Sequence, residues 1–346
     1  MDRVARLPAS DRHDLFRETA MLRGISPAIV EKDFWVCWVL KQIFADPDVG
    51  PQFVFKGGTS LAKVYELIER FSEDIDLILD WRALGYGPGL DDPYQDFASN
   101  TRRDRFNKRM NQRAVEYITD RLLKDFTRLF AHVSRLSVSV DHDDPQTINV
   151  AYPAAFSEEY LRSEIRLEIG PLAGWSPSER RTIRPYAAGS FPDVFADPDC
   201  HVVTITAERS FWEKATILHQ QAHRKTPMPS RYSRHYYDLY KLAGSPVCQS
   251  ALADLDLLQT VASFKRRFYL SSWASYETAR AGSLKLVPSE EHRTVLKKDF
   301  RAMRMMIFGE VPSFDLIEES LQKLEQQINQ PLPGPDNSRS QSLAGR

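Results

Sequence analysis

The stretch FVFKGGTSLAKVYELIERFSEDIDLIL, Phe53–Leu79, decides the fold of this 346-residue chain. An apolar segment, Phe53–Phe55, ends at a Gly-Gly pair, a short helical segment follows, and a second segment alternates two aspartates with apolar residues. A period of two is typical of a β-strand, and it places Asp74 and Asp76 on one face of that strand. A slip of one residue would bury both acids, so the pattern also specifies the strand's register.

Both halves of this stretch suit chemistry on a nucleoside triphosphate (NTP). Backbone N–H groups and hydroxyls at a turn that opens a helix can hold phosphates, because the helix dipole favours anions there. Two carboxylates on one strand face can hold Mg²⁺, which prefers oxygen ligands. We therefore predict that Asp74 and Asp76 bind the metal. The predicted phosphate contacts are Lys56, Gly57, Gly58, Thr59, Ser60, Arg70 and Ser72.

Composition limits the possible functions. The chain has 46 Lys and Arg against 47 Asp and Glu, so a nucleic-acid partner would need a local basic patch. Its three cysteines, Cys37, Cys200 and Cys248, are far apart and indicate neither a disulfide framework nor a zinc site, which favours a reducing cytoplasm. The sequence contains no apolar signal core and no run of about 18 apolar residues, so no membrane segment is expected.

Helix signals flank the deciding stretch. Ser10 is a candidate N-cap for a helix reaching Leu22, and Ser26-Pro27 starts a longer helix that we expect to pack on a sheet. Within it, Glu31-Lys32-Asp33 either reaches a nearby site or forms a solvated face, which we favour. The other predicted elements are a helix over 60–68, a loop over 81–94, a helical stretch over 96–132, strands over 133–140, 147–152 and 164–169, and helices over 211–223, 232–242, 251–273, 289–308 and 314–330.

The run KGGTSLAKVYELIERFSEDIDL resembles the signature of the AbiEii/MenT-type nucleotidyltransferase toxins, a branch of the DNA polymerase β-like superfamily. EKDFWV upstream and ERSFWEK…RHYYDLYKL downstream also resemble that family, so the likeness covers Val30–Leu242. It implies an α/β (α+β) fold: a polymerase β-like nucleotidyltransferase lobe with a mixed sheet flanked by helices, over residues 1–205. A helical domain over 206–330 would complete the active-site cleft, and we expect residues 331–346 to be disordered.

The resemblance also implies a third carboxylate from a later strand beside Asp74 and Asp76. We choose Glu168 in the alternating IRLEIG segment, with Glu164 and Asp141 as rivals and an ordinary surface glutamate as the alternative. The superfamily often has aspartate at this place, so the glutamate is a departure. Three carboxylates could bind two Mg²⁺, or Mn²⁺, one ion favouring deprotonation of the attacking hydroxyl and the other binding the triphosphate.

A lysine and an aspartate from the helical domain complete the implied site. By resemblance these are Lys214 and Asp238, the lysine countering triphosphate charge and the aspartate orienting either the lysine or the acceptor. Without the resemblance, each would be read as an ordinary charge on a helix surface.

Three other groups of residues have patterns with possible functions. The HQQAH run, with His219 and His223, lacks the glutamate of a zinc HExxH motif, so zinc is not favoured. A basic helix with an interleaved Phe106 could follow a phosphate backbone or form a solvated face. The tyrosines in RYSRHYYD could stack on a base, although core packing of two of the three is favoured. The basic residues are Arg102, Arg103, Arg105, Lys108, Arg109 and Arg113, then Arg224, Lys225, Arg231 and Arg234.

We therefore expect a cytoplasmic, Mg²⁺-dependent nucleotidyltransferase toxin of a bacterial type IV, phage-defence-like toxin–antitoxin system. It would transfer NMP from an NTP to an RNA acceptor, the 3′ end of tRNA, releasing pyrophosphate and blocking translation, and a cognate antitoxin would be its partner. Three alternatives stay open: a protein or small-molecule acceptor, a nucleotide- or RNA-binding module without catalysis, and a structural partner in a defence complex.

Overall fold

The computed structural model describes residues 1–72, 74–89, 91–156, 162–269 and 271–330. The chain divides into two compact units. The first comprises Met1–Ser210, Arg267–Leu270 and Met303–Val311, and the second comprises Phe211–Arg266, Ser271–Ala302 and Pro312–Arg346. The first unit thus includes two short segments from late in the chain, whereas a division of the sequence after residue 205 assigns both segments to the second domain. The tail expected to be disordered, 331–346, lies outside the described residues.

The described part of the first unit contains one mixed sheet of seven strands. They are β1 (Phe53–Lys56), β2 (Asp74–Leu79), β3 (Ser137–Val140), β4 (Thr147–Ala151), β5 (Glu164–Gly170), β6 (Ser178–Ile183) and β7 (Cys200–Ile205). Their order is β3-β4-β5-β2-β1-β7-β6, with β2–β5 and β1–β7 parallel and the other neighbours antiparallel. The sequence did not predict β6, a charge-rich edge strand, or its partner β7.

Helices flank this sheet and make up the second unit. They are α1 (Asp2–Ala5), α2 (Ala9–Arg23), α3 (Pro27–Ala45), α4 (Gly57–Lys63), α5 (Asn100–Tyr117), α6 (Leu123–Phe130), α7 (Tyr186–Ser190), α8 (Ala207–Ala222), α9 (Ser233–Ala243), α10 (Pro246–Ala253), α11 (Leu255–Phe268), α12 (Glu290–Met303) and α13 (Phe314–Asn329). No helix in the described ranges combines the length and apolar character that a membrane span requires.

Helix ends test the sequence signals directly. Ser26 caps α3 as predicted, because its side-chain oxygen accepts the Ala28 N–H at 3.2 Å. Ser10 is not a cap: α2 begins at Ala9, so Ser10 lies in its first turn. The helix predicted over 251–273 is two helices, because the Asp254 carboxylate accepts the Leu257 N–H at 3.0 Å and starts α11.

One face of the sheet is apolar and is covered mainly by α3. Phe34, Trp35 and Trp38 of this helix are fully buried in the same cluster as Phe55 and Leu77 of the sheet. Burial of a large apolar side chain contributes roughly 1.5–3 kcal/mol. Because side chains alternate along a strand, the opposite face carries the aspartates of β2.

The charged run Glu31-Lys32-Asp33 on α3 is buried, so the prediction of a solvated face is wrong. Glu31 accepts two backbone N–H groups, at 2.8 and 3.0 Å. Asp33 accepts the Tyr186 N–H at 2.7 Å and forms an ion pair with Lys63 of α4 at 2.6 Å. Burial alone would lower the pKa of Lys63, and the Asp33 carboxylate raises it instead, so the lysine stays charged.

A segment from near the end of the chain pairs with the residues that precede β2. The Phe71 N–H donates to the Met306 carbonyl and the Phe308 N–H donates to the Glu69 carbonyl, both at 2.7 Å. Arg70 and Ile307 form the bridge between these bonds. The connection from α4 to β2 is therefore held at its edge by the returning segment.

Candidate active site

Parallel pairing of β2 with β5 places carboxylates side by side on the polar face of the sheet. Asp76 is the register partner of Glu168, and Asp74 is the register partner of Arg166. Glu164 lies before the first paired position of β5, so it has no partner on β2. Of these two glutamates, only Glu168 neighbours Asp76, and this register favours it as the third carboxylate.

The other rival, Asp141, holds the start of the β3–β4 turn. Its carboxylate accepts hydrogen bonds from the Asn149 amide at 2.9 Å and from the Arg166 guanidinium at 2.7 Å. The bond from Asn149, together with the backbone amide of Asp143, holds the pKa of Asp141 well below its usual range. Asp141 therefore ties this turn to β5.

Gly57 lets the phosphate turn approach the second aspartate of β2. Its φ is +84°, in the left-handed region, and a Cβ placed on it would lie 1.9 Å from the Asp76 Oδ2. The next residue, Gly58, is also crowded, because a Cβ there would lie 2.7 Å from the Arg70 guanidinium and 2.8 Å from the Ser72 hydroxyl. The turn, Asp76, Arg70 and Ser72 are thus brought together.

The sequence predicted a glycine turn followed by a helix over 60–68. In the structure the two glycines are instead the first residues of the helix, because α4 runs over Gly57–Lys63. The side chains of Thr59 and Ser60 are buried. The Thr59 hydroxyl donates to the Asp74 carbonyl at 2.5 Å, and the Ser60 hydroxyl lies 3.0 Å from that of Thr204. Both hydroxyls therefore form hydrogen bonds within the protein, and the role of Thr59 and Ser60 in binding phosphate stays a prediction.

The two aspartates of β2 have different surroundings. Asp74 Oδ1 lies 3.6 Å from Arg166 Nε, and both side chains are partly buried.

In the described ranges of the chain, no three His, Cys, Asp or Glu side chains form a group that could hold a metal. Nucleotide-bound Mg²⁺ needs only one or two protein carboxylates, because phosphates and water supply the other ligands. Asp76 and Glu168, adjacent across two strands, fit that requirement.

A cavity of about 280 Å³ opens over Asp76 and Glu168. Its walls come from α5, from the turn before β4, from the residues after β5 and from the segment that follows α11. The polar and aromatic side chains that line it include Lys56, Asn111, Gln146 and Tyr269. Thus the acid pair lies at the edge of a space that could take a small organic group.

In the second unit, the predicted lysine and aspartate form a buried ion pair. Lys214 Nζ of α8 lies 2.8 Å from Asp238 Oδ2 of α9, with the lysine 8% and the aspartate 0% exposed. Lys214 Nζ also lies 3.2 Å from His235 Nδ1. This contact supports the first of the two predicted roles of Asp238, that of orienting Lys214. The interpretation as ordinary surface charges is wrong.

Comparison with known proteins decides the family. The family model described as nucleotidyl transferase AbiEii toxin, type IV toxin–antitoxin system, matches residues 38–326. The chain belongs to the AbiEii family. It is therefore a nucleotidyltransferase toxin of a type IV toxin–antitoxin system, for which an NTP is the substrate and an antitoxin is the partner.

Among solved structures, this AbiEii protein is similar to MenT4, a nucleotidyltransferase toxin from Mycobacterium tuberculosis H37Rv. The identity is 16% and the TM-score 0.52, over 95% of this chain and 91% of that one, which supports a shared fold. It also matches JHP933 from Helicobacter pylori at 15% identity and a TM-score of 0.37, over 84% and 88% of the two chains. A search of curated proteins finds no match.

His219 of the AbiEii chain has a structural role. The amide of Lys285 donates to His219 Nδ1 at 3.0 Å, so the Nε2–H is the donor to the Ser275 carbonyl, also at 3.0 Å. Burial lowers the pKa of His219 to about 4, which keeps it neutral. Both ring nitrogens of His219 thus form hydrogen bonds within the protein.

Exposed arginines form one stripe along α5. Arg102, Arg105, Arg109 and Arg113 recur at steps of three and four residues and are exposed. Helical spacing places this stripe and Asn111 on opposite flanks of the buried face of α5. Phe106 is a core residue, 3% exposed and packed on Tyr86, so it is not an interleaved binding aromatic.

The tyrosine prediction for the second unit is confirmed. Tyr236 and Tyr237 are fully buried, and Tyr232 is partly exposed, with its ring centroid 5.2 Å from that of His235. The sequence reasoning missed His235 beside Lys214, although its position three residues before Asp238 on a helix was a usable signal.

Proposed function

We propose that this AbiEii protein transfers NMP from an NTP to the 3′ end of an RNA, a tRNA, in the cytoplasm, in a reaction that depends on Mg²⁺ and blocks translation. The register of Asp76 against Glu168 carries this proposal, because it places two carboxylates beside the glycine turn. The RNA acceptor follows from the family resemblance, and the geometry of the acid pair is compatible with it.

In this proposal Asp76 and Glu168 hold the metal, with Asp74 joining them from the same strand face. A bound Mg²⁺ supplies charge neutralisation at the triphosphate and favours ionisation of the attacking hydroxyl. Gly57 and Gly58 present backbone to the phosphates, and Lys56, Arg70 and Ser72 are the adjoining polar groups. Asp238 and His235 fix the ammonium of Lys214, for which countering triphosphate charge is the proposed role.

A labelling experiment tests the reaction. The protein is incubated with Mg²⁺, each α-labelled NTP and total tRNA, with chelator in a parallel sample. We expect label in tRNA, lost with chelator and with Asp76→Ala. No transfer by the wild type, or equal transfer by Asp76→Ala, refutes the proposal. Label in protein or in a small molecule, with none in RNA, assigns a different acceptor class.

The third carboxylate has a matched control on its own strand. Glu168→Gln removes the charge opposite Asp76, whereas Glu164→Gln removes a charge on the same face that has no register partner on β2. We expect Glu168→Gln to reduce transfer at least about 100-fold, as loss of a preorganised charge-stabilising group does, and Glu164→Gln to leave it little changed. Equal losses in both variants contradict the assignment.

A further inference from the structure

The cavity over the acid pair has features that the nucleotide half of the reaction does not use. It extends from Lys56, at the end of β1, past Asp76 and Glu168 to Gln146, just before β4. Because the sheet order is β4-β5-β2-β1, the glycine turn and the Gln146 wall lie on opposite sides of the acid pair. The volume of the cavity, about 280 Å³, is ample for one nucleobase.

An aromatic ring forms one wall of the cavity. Tyr269 is 44% exposed, and its hydroxyl donates to the Leu172 carbonyl at 2.6 Å, which holds the ring in place. The segment before it is anchored to α5, because the Asn107 amide donates to the carbonyls of Arg267 and Phe268 at 3.3 and 3.2 Å. An exposed tyrosine fixed at a polar cavity is a surface on which a base can stack.

Two amides face the cavity from different walls. Asn111 lies one helical turn after Asn107 on α5, and the Gln146 side-chain nitrogen lies 3.9 Å from where a Cβ on Gly170 would stand. Within the described residues, neither side-chain amide is used in a hydrogen bond to the protein. Each amide offers both a donor and an acceptor, the groups that match a base edge.

The direction of the reaction selects which base enters. In phosphoryl-type transfer the attacking and leaving oxygens are roughly in line. With pyrophosphate leaving over the glycine turn, the acceptor hydroxyl must approach the acid pair from the Gln146 side. This step rests on the proposed function.

We propose that the cavity is the subsite for the terminal nucleotide of the acceptor. Tyr269 stacks on its base, Asn111 and Gln146 bond to the base edge, and the 3′ hydroxyl is thereby delivered to Asp76 and Glu168. The arginine stripe on the other flank of α5 has no part in this subsite.

Kinetics with each substrate varied in turn test the assignment. Tyr269→Ala is expected to lower kcat/KM for the tRNA acceptor by roughly 5- to 150-fold, the range for losing one base–aromatic stack, and to leave KM for NTP unchanged. Tyr269→Phe keeps the ring but loses the hydrogen bond to Leu172, so it should retain more of the acceptor efficiency than Tyr269→Ala. Tyr94→Ala, at a 55% exposed tyrosine outside the cavity, is the matched control.

The amides have an equally close control. Asn111→Ala should lower acceptor efficiency, whereas Gln112→Ala, the next residue on α5 and outside the cavity, should not. A tRNA whose terminal base is replaced by an abasic residue should make wild type and Tyr269→Ala equal. A rise in KM for NTP instead assigns the cavity to the NTP base, and an undiminished loss on the abasic acceptor overturns stacking. Both outcomes refute the proposal.

Binding separates failure of the subsite from failure of the reaction. A fluorescent tRNA acceptor-stem fragment is titrated with the protein in the absence of NTP. Binding that depends on Tyr269 and on the terminal base, without transfer by the wild type, leaves the subsite standing and removes the proposed reaction. Transfer that proceeds equally in Tyr269→Ala and the wild type removes the subsite and leaves the reaction standing.

Discussion

Replacing Gly57 by alanine should disable the site with little effect on the rest of the fold. The new Cβ would start 1.9 Å from the Asp76 Oδ2, and ordinary van der Waals contact begins at 3.4 Å, so the carboxylate must move by about 1.5 Å. A misplacement of about 1 Å in a reacting constellation can cost 100-fold in rate. We therefore expect Gly57→Ala to lose at least about 100-fold in nucleotidyl transfer.

The backbone contribution to this effect can be measured separately. An L-residue in the left-handed region costs roughly 1–2 kcal/mol, and Gly57 has φ +84°. Gly24, with φ +66° and no atom within 4 Å of its would-be Cβ, carries the same strain without the clash. Gly24→Ala should therefore lose a similar amount of stability and keep its activity.

The assay pairs urea unfolding with label transfer at saturating NTP for both variants. The reasoning fails if Gly57→Ala transfers label at close to the wild-type rate, because Asp76 would then tolerate the displacement. It also fails if Gly24→Ala loses as much activity as Gly57→Ala, because backbone strain alone would then account for the effect.

Other predictions concern buried charges. Asp238→Ala should lower the free energy of unfolding, measured in urea, by about 3–5 kcal/mol, because it leaves the buried Lys214 ammonium without its ion-pair partner. A loss under about 1 kcal/mol would contradict a buried ion pair. Asp33→Ala should lower the free energy of unfolding by a similar amount, because it leaves the buried Lys63 ammonium without its ion-pair partner. The double variant Asp33→Ala/Lys63→Met should recover part of that stability, and no recovery contradicts this explanation. His219 has a folded pKa of about 4 against 6.5 ordinarily, so the unfolded state binds more protons between those values. Its contribution to stability is full above pH 6.5 and declines as the pH falls towards 4. The urea midpoint of His219→Gln should therefore depend less on pH across that range than the wild-type midpoint does. An equal pH dependence in the two proteins contradicts this prediction.

Local sequence patterns identified the elements that carry the acids. Alternation alone placed Asp74 and Asp76 on one strand face, and the Ser26-Pro27 pair marked the start of α3. Glu168 was selected because the family resemblance implies a third carboxylate from a later strand and its segment alternates in the same way. What alternation could not supply was the neighbour of each strand, since the β2–β5 register joins residues more than ninety positions apart, such as Asp76 and Glu168.

The main error of the sequence predictions was to place buried charges on the surface, because the groups that compensate those charges lie far away in the sequence. Glu31 and Asp33 can lie inside the first unit because backbone N–H groups from distant parts of the chain and the Lys63 ammonium compensate their charges. Nothing within α3 reveals those partners. Likewise, Tyr269 follows a helix assigned by its sequence to the later domain, so its place in the cavity beside Asp76 had no local signal.

The pairing of residues 69–71 with the returning segment sets an order of assembly during synthesis. The glycine turn and the aspartate strand are complete once Leu79 has been made, but the linker between them gains its edge partner only when Phe308 follows. Any nascent chain shorter than this lacks the bonds from Phe71 to Met306 and from Phe308 to Glu69. A ribosome therefore translates most of this toxin before the linker of its proposed nucleotide site is held on that side.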